Sequence, residues 1–402
     1  MNRADFIALL SPEGQKLLAE IGDIDNKTDV VKLVSKLRGQ GYEPDLVAAV
    51  LTQAKLRRRA KAKFGPFSER MLFTEAGLEQ ASRLAVAALH AGRFRDAKLS
   101  KIADLGCGIG AESLAMASLE LNVTAFEIDE VTAAVATYNL AVFENAKVEN
   151  ADVTQISTDD FDALFLDPAR RELSGPARAA ALRKFDPDSY SPNFDFVLDC
   201  ASKKPTGVKL GPGHPHEAIP DDCEAQWVSV DGDLVELALW FGPLARPGIK
   251  RAALLITDTG KHEITSASSA RLDAEIGEVE EFIYEPDNAV IRSHLIGELA
   301  AQIDAHLISA EIAYLSSESE ISSPWLKGYR VLDNLAFDRK KLKAYLRERE
   351  IGTLEIKKRG ADITPEQLRK ELAPKGKGAA TLIVTRVNDA HRVLVCQPLH
   401  KI

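Results

Sequence analysis

Five carboxylates and three glycines stand in an order that could do chemistry. Asp104-Leu105-Gly106-Cys107-Gly108-Ile109-Gly110 follows a short apolar run, Ile102 to Leu105, and opens a helical pattern. Glycines there permit a tight turn and let a ligand approach the backbone amides with no side chain in the way. Glu127-Ile128-Asp129 closes the next apolar run, with Glu127 placed 21 residues after Gly106, where a carboxylate accepts hydrogen bonds from ribose hydroxyls. Asp152, after a third run, is placed to accept a bond from an adenine amino group. Taken singly, Asp129 and Asp152 read as turn or helix-cap residues; taken together, the spacing predicts a nucleoside cofactor. Gly106, Gly108 and Ala111 also satisfy the looser dinucleotide fingerprint. Against a dinucleotide stands Asp104, whose carboxylate just before the turn suits a cationic ligand better than a pyrophosphate. The fourth run ends in Asp167-Pro168-Ala169-Arg170, at the carboxyl edge where substrates of open α/β sheets sit.

The elements that must position these residues follow from periodicity. Short apolar runs at Ile102 to Leu105, Val123 to Phe126, Ala163 to Leu166, Phe194 to Leu198 and Ala252 to Ile256 alternate with helical segments. That alternation predicts a parallel sheet with crossover helices, a Rossmann-like α/β fold. Before it, residues 1–70 read as helices: Ser11-Pro12 suits an N-cap followed by an N1 proline, and Val30, Val31, Val34 and Leu37 recur at helical spacing. After a polar linker near Ser316 to Pro324, residues 325–402 read strand, helix, strand, helix, strand, strand, a small ferredoxin-like α+β layer. The expected organisation is therefore 1–70 helical, 71–324 α/β and 325–402 α+β. A chain of 402 residues, 45% hydrophobic and 28% charged, excludes collagen-like, disordered and mini-protein classes. No apolar stretch reaches the ~20 residues of a membrane span, and Met1 to Phe6 has no secretory pattern, so the expected location is the cytoplasm, with no membrane partner. Cys107, Cys200, Cys223 and Cys396 lie far apart, which argues against a disulfide framework and a zinc site. His214-Pro215-His216-Glu217 supplies no tetrahedral set by itself, and no metal is expected. Nothing in the sequence specifies an oligomeric state.

The formal net charge of −9 conceals a division. Trp325 to Ile402 holds 18 Lys+Arg and 9 Asp+Glu, a net of +9, on a body of net −18. Lys357-Lys358-Arg359 lies within this module, and a second basic run spans Lys55 to Lys63. Such clusters attract phosphate backbones, although lysines also protect edge strands and basic helix ends favour the helix dipole.

Asp104 to Gly110, Glu127 and Asp167-Pro168 resemble motifs I, II and IV of the class I S-adenosylmethionine-dependent methyltransferases. Phe73 to Ser82, Thr206-Gly207-Val208-Lys209, Glu285 to Arg292 and Leu354 to Gly360 extend the resemblance, over nearly the whole chain, to a bacterial methyltransferase family with a C-terminal THUMP-like domain. The resemblance implies S-adenosyl-L-methionine as cofactor, held by Asp104, Gly106, Gly108, Gly110, Glu127, Asp129 and Asp152, with Asp167 facing the transferred methyl. THUMP domains are associated with RNA modification, so RNA is the implied substrate, with Arg170, Lys357, Lys358 and Arg359 as its contacts. A non-catalytic protein binding the cofactor and RNA, and a methyltransferase for a small molecule or protein, are the alternatives.

Two acceptor chemistries remain open. Methylation of an exocyclic base amine uses an Asp or Asn and a proline carbonyl to hold the N–H groups while an aromatic ring stacks on the base. Asp167 and Pro168 supply the first part, and the ring would have to be Tyr190 or Trp240, because Ala169-Arg170 follows where an aromatic is usual. Carbon-5 methylation of a pyrimidine needs a cysteine that adds to carbon 6, and Cys200 is the candidate. A small buried hydrophobe is the favoured reading of Cys200, and base nitrogen the favoured acceptor.

Overall fold

The computed structural model describes residues 1–22, 24, 29–170, 190–272, 274–388 and 390–399. The chain divides into two compact units, one of Met1–Leu210 with Trp240–Ala245, the other of Gly211–Leu239 with Arg246–Ile402. Among the described residues, no helix is long and apolar enough to cross a membrane.

The first unit begins with four helices, α1 (Arg3–Leu10), α2 (Pro12–Ile21), α3 (Val30–Gly39) and α4 (Pro44–Phe64). Ser11 caps α2, its side chain accepting from Gly14 N with Pro12 in the first turn, as the sequence predicts. Two more helices, α5 (Glu75–Gln80) and α6 (Leu84–Asp96), lead into β1 (Lys101–Leu105), α7 (Ala111–Ser118), β2 (Asn122–Glu127), α8 (Glu130–Leu140), β3 (Ala146–Asn150), β4 (Ala163–Leu166), the short β5 (Ala169–Arg170) and β6 (Tyr190–Ser191), and β7 (Thr206–Leu210). Strands β7, β4, β1, β2 and β3 lie in that order, each neighbour parallel. The order reverses between β1 and β4, so the carboxyl ends of these two strands open on a crevice where α/β sheets bind ligands. The N-terminal helices share a core with this layer: Leu17, Val50, Leu51 and Phe64 cluster with Ile109, Leu114 and Leu140.

One expected strand is a helix. Phe194–Lys203 is α-helical, with Asn193 capping Phe196 N and with Phe194, Val197 and Cys200 buried. The three-residue spacing of those apolar positions and the Asn193 cap favour one buried helical face over the alternation of a strand. The fifth parallel strand is instead Thr206–Leu210.

The second unit holds β8 (Glu224–Val230), β9 (Asp233–Trp240) up to Leu239, β10 (Arg251–Thr257) and β11 (Gly260–Ser266), with β10 parallel to β8 and antiparallel to β11. It also holds a seven-stranded sheet of β12 (Phe282–Pro286), β13 (His306–Ser309), β14 (Ile312–Ser317), β15 (Leu326–Ala336), β16 (Ile351–Lys358), β17 (Gly378–Val387) and β18 (Ala390–Pro398). Its order is β13-β14-β12-β15-β18-β17-β16. Helices Arg339–Glu348 and Pro365–Leu372 pack on it through Leu342, Leu346, Leu368 and Leu372. From β15 on, the chain alternates strands and helices as expected. The polar linker begins later than expected, because Ser316 and Ser317 are buried at the end of β14.

Candidate active site

The glycine loop after β1 folds as a backbone cradle. Gly106, Gly108 and Gly110 take φ of 92°, 55° and 87°, the left-handed region that a side chain disfavours. A Cβ on Gly108 would meet no atom within 4 Å, so the face of the loop is open at that point. The loop is tied to β2: Gly106 N and Cys107 N both donate to Phe126 O, at 3.0 and 2.9 Å. Glu127 completes the tie, its two carboxylate oxygens accepting from Gly108 N at 3.1 Å and Asp129 N at 3.0 Å. Each oxygen keeps a second lone pair for a ribose hydroxyl.

Segments remote in sequence hold this loop. Asn139 of α8 donates to Leu72 O and Ile109 O and accepts from Leu72 N. Gln53 of α4 exchanges a pair of hydrogen bonds with the Phe73 backbone. Thr74 caps α5, and Gly77 packs so closely on Ile109 that an added Cβ would lie 2.3 Å from Cγ2. The segment Phe73 to Ser82 therefore shapes the loop from behind.

Asp104 sits beneath the loop, 1% exposed. Its Oδ2 accepts from Ser113 Oγ at 2.5 Å, while Oδ1 is buried with no hydrogen-bond partner. Burial is the main force raising its pKa to about 7; Glu112 and Asp167 add to it, while Ser113 and Lys209 oppose it. An orphaned buried carboxylate oxygen beside an open glycine loop fits a cationic group, as the sequence reading of Asp104 requires. Glu112 is equally buried, but there the His90 imidazole, 3.1 Å from Oε2, and neighbouring charges outweigh desolvation and hold the carboxyl below its usual range.

Asp129 and Asp152 act as caps. Asp129 Oδ1 accepts from Thr132 N and Oγ1 at the start of α8, and Asp152 Oδ1 from Thr154 N and Oγ1. These bonds lower both pKa values, so each carboxylate is fixed and charged beside its strand end.

Asp167 and Pro168 follow β4, where the sequence places them. Lys209, at the end of β7, forms an ion pair with Asp167 Oδ2 and also donates to Gln80 O at 3.2 Å. The sequence places Lys209 in a motif without giving it a role; its signal is a lone cation at the carboxyl end of a strand adjacent to β4. The side chains of Ala169 and Arg170 lie outside the described residues, and so does Arg171. Tyr190 and Trp240 are 1% and 0% exposed, and Trp240 packs against His90, Phe94 and the face of Gly207. Neither ring is free to stack on a base in this conformation. Cys200 is buried in its helix, and burial raises its pKa to about 11, which leaves the unreactive thiol. All four cysteines are free.

Most of the basic run of α4 is engaged within the fold. Arg57 and Arg58 donate to Met71 O and Ile24 O, Arg59 pairs with Glu75, and Lys63 donates to Leu78 O, Glu79 O and Ala81 O around the end of α5. In the second unit, Lys357 Nζ lies 2.6 Å from Glu285 Oε2 and Arg359 Nη2 3.7 Å from Oε1. Two motifs of the sequence reading thus meet as an internal ion-pair cluster, with Lys357 over the Tyr329 ring and Arg359 over that of Tyr314. Of the triplet only Lys358 is exposed. It sits on β16, the edge of its sheet.

Residues 67–181 match the methyltransferase small domain, residues 326–398 the family described as THUMP domain-like, and residues 2–60 a domain of unknown function. A crystal structure from Porphyromonas gingivalis W83, provisionally named a methyltransferase, shares the fold with TM-score 0.69 at 19% identity, over 88% of this chain and 91% of that one. Two uncharacterised S-adenosylmethionine-dependent methyltransferases of Mycobacterium tuberculosis, strains CDC 1551 / Oshkosh and ATCC 25618 / H37Rv, are 31% identical over 356 residues, 85% of this chain and 95% of theirs. The chain belongs to the family of S-adenosylmethionine-dependent methyltransferases.

Proposed function

We propose that this S-adenosylmethionine-dependent methyltransferase acts on RNA, at an exocyclic base nitrogen beside Asp167. The cofactor supplies an electrophilic methyl on a sulfonium. Asp104, with its unpartnered Oδ1, would hold a cationic part of it, Glu127 its ribose, and the Gly106 to Gly110 amides its approach to the chain, with Asp129 and Asp152 at the neighbouring strand ends. Asp167 would accept an N–H bond from the acceptor amine and stabilise the positive charge that develops on nitrogen, while the Pro168 carbonyl would take the second N–H. Lys209 would orient Asp167 through their ion pair. No stacking ring is assigned, since Tyr190 and Trp240 are core residues.

The observation that carries RNA as substrate is the helix Arg339–Glu348. Arg339, Lys340 and Lys341 occupy its first turn, where cations oppose the helix dipole. All three are exposed. Arg339 is accounted for within the fold, pairing with Glu371 at 3.1 Å and covering the Phe337 ring; Lys340 and Lys341 bring no such gain, and a phosphate backbone accounts for them. The domain division read from the sequence, with 325–402 as the RNA-presenting module, is part of this proposal. Labelled-cofactor turnover that depends on RNA, and loss of one methylated nucleoside in a deletion strain, support the reading. Turnover on protein or small-molecule fractions alone overturns it.

A further inference from the structure

We propose that the second unit carries a separate site for a phosphate-type oxyanion, in the cavity bounded by His216, Lys250, Arg251 and Ser269. The inference is independent of methyl transfer. The cavity, about 130 Å³, is also lined by Asp221 and Cys223 and opens at the starts of the parallel strands β8 and β10. It holds several waters at the roughly 10–15 Å³ each requires, yet is far smaller than the roughly 300–1,000 Å³ that encloses a drug-sized ligand. A single tetrahedral anion is the scale that fits.

Its wall is rich in donors. Arg251 is 9% exposed, and among the described residues no carboxylate pairs with it, an unusual state for a buried guanidinium. Its Nη1 donates to Ser293 O at 3.2 Å and to His216 Nδ1 at 2.9 Å. Because arginine only donates, His216 Nδ1 is the acceptor and its Nε2 carries the proton. That N–H is buried away from the cavity, with only a weak approach to the Arg292 backbone, so the ring's part is to hold Arg251 in place. The ring is clamped between Trp227 and His294, at centroid distances of 5.1 and 3.8 Å. Lys250 donates one proton to Asp221 O, leaving two.

The local field agrees. Burial, then His294, Arg251 and Arg292, push His216 down to about 3, and burial with Arg251, Arg271 and Arg292 lowers His294. Both imidazoles are therefore held neutral, by burial first and by the neighbouring arginines second. The carboxylates nearby are Asp221 at the lining, Glu298 acting on Arg251, and Asp222 acting on Cys223. An arginine and a lysine lining one small space, the arginine fixed by His216 and Ser293, form the donor set that recognises a phosphate group.

The test titrates inorganic phosphate into the full-length protein by calorimetry at constant ionic strength. Saturable one-to-one binding is expected, weakened about tenfold or more in Arg251→Gln and several-fold in Lys250→Gln, with S-adenosylmethionine affinity unchanged in both. Because Arg251 is buried, its variant counts only if it melts as wild type does without phosphate; the half-buried Lys250 supplies the independent reading through the phosphate-induced rise in Tm. A short RNA with and without a 5′-phosphate separates the sources. A preference for the phosphorylated end that Lys250→Gln abolishes assigns a terminal nucleotide phosphate, and equal affinity beside genuine phosphate binding assigns the free ion. Absence of saturable phosphate binding, or binding undiminished in Lys250→Gln, overturns the site.

Discussion

The glycine-loop edge of the first unit and the basic module of the second both attract notice for their polar residues, but they use them in opposite ways. At the loop, Asp104 keeps a buried oxygen without a partner, Glu127 accepts only backbone bonds, and Gly108 faces open space. If the loop holds the cofactor as proposed, the unpartnered Asp104 oxygen is a cost to the unliganded protein that the bound cofactor would offset. In the module, Lys357 and Arg359 satisfy Glu285, and Arg349 satisfies Asp333 while covering the Tyr345 ring. That part of the charge is structural. Net charge counts cations without regard to their partners, so it locates a module but not a surface.

Asp167 offers the largest way to sharpen the contrast. If the loop edge is the reactive one, Asp167→Ala should lower turnover by about 10²–10³-fold, the effect of removing one preorganised electrostatic group, with cofactor affinity unchanged by calorimetry. Lys209→Met should lower kcat in the same direction but less, and Lys209→Arg should recover part of the loss if the lysine acts by positioning Asp167. Equal cofactor affinity and equal turnover in Asp167→Ala would remove the acid from the mechanism. Cys200→Ala should remain active and the wild type should form no covalent adduct with a 5-fluoropyrimidine RNA.

Asp104 gives the next effect through pH. Its folded pKa, about 7, lies above the ordinary carboxylate value of 3.8, so the fold binds a proton that the unfolded chain releases. The associated stability is fully present below pH 3.8 and is lost as pH rises through 7. For the cofactor-free protein the loss is roughly 2–4 kcal/mol, because each pH unit separating the folded and unfolded titrations is worth about 1.4 kcal/mol. Melting curves from pH 5 to 8 should show wild type weakening more than Asp104→Asn, which has no proton to release. Parallel pH profiles would mean that Asp104 does not titrate in this range.

Much of the loop is legible in the sequence because backbone chemistry leaves a local signature: glycine is the residue for three closely spaced left-handed turns, and Glu127 lies where one crossover helix brings the next strand end. Gly108→Val and Glu127→Ala should accordingly weaken S-adenosylmethionine roughly tenfold to a hundredfold, about 1.5–3 kcal/mol, and unchanged affinity in both would displace the site. Legibility fails where the partner is distant. Glu285 and Lys357 are 72 residues apart, and no pattern in either segment reveals that β12 and β16 share a sheet. Asp167 and Lys209 meet only because β4 and β7 are neighbours. The segment Phe194–Lys203 departs from expectation for a different reason: an apolar run of five residues fits a strand, and the cap at Asn193 is needed to decide.

The smallest effects divide the basic module itself. Lys357 and Glu285 have side chains only 19% and 25% exposed, so Lys357→Ala should remove an ion pair that solvent screens partly, lowering stability by about 1 kcal/mol in urea denaturation. RNA affinity should keep its salt dependence, because that ammonium is already neutralised within the protein and displaces no counterion from a phosphate. Lys340→Ala and Lys358→Ala should do the reverse. Both residues are exposed; Lys340 sits in the first turn of its helix, and its loss there should leave stability unchanged or slightly raised. Each should reduce the slope of log affinity against log salt by about 0.7 for a single-stranded RNA, read from fluorescence anisotropy between roughly 50 and 200 mM salt. If Lys357→Ala flattens that slope while Lys340→Ala leaves it intact, the RNA path follows β16 and the Glu285 cluster opens on binding. Structural and surface charge in the module would then have exchanged places.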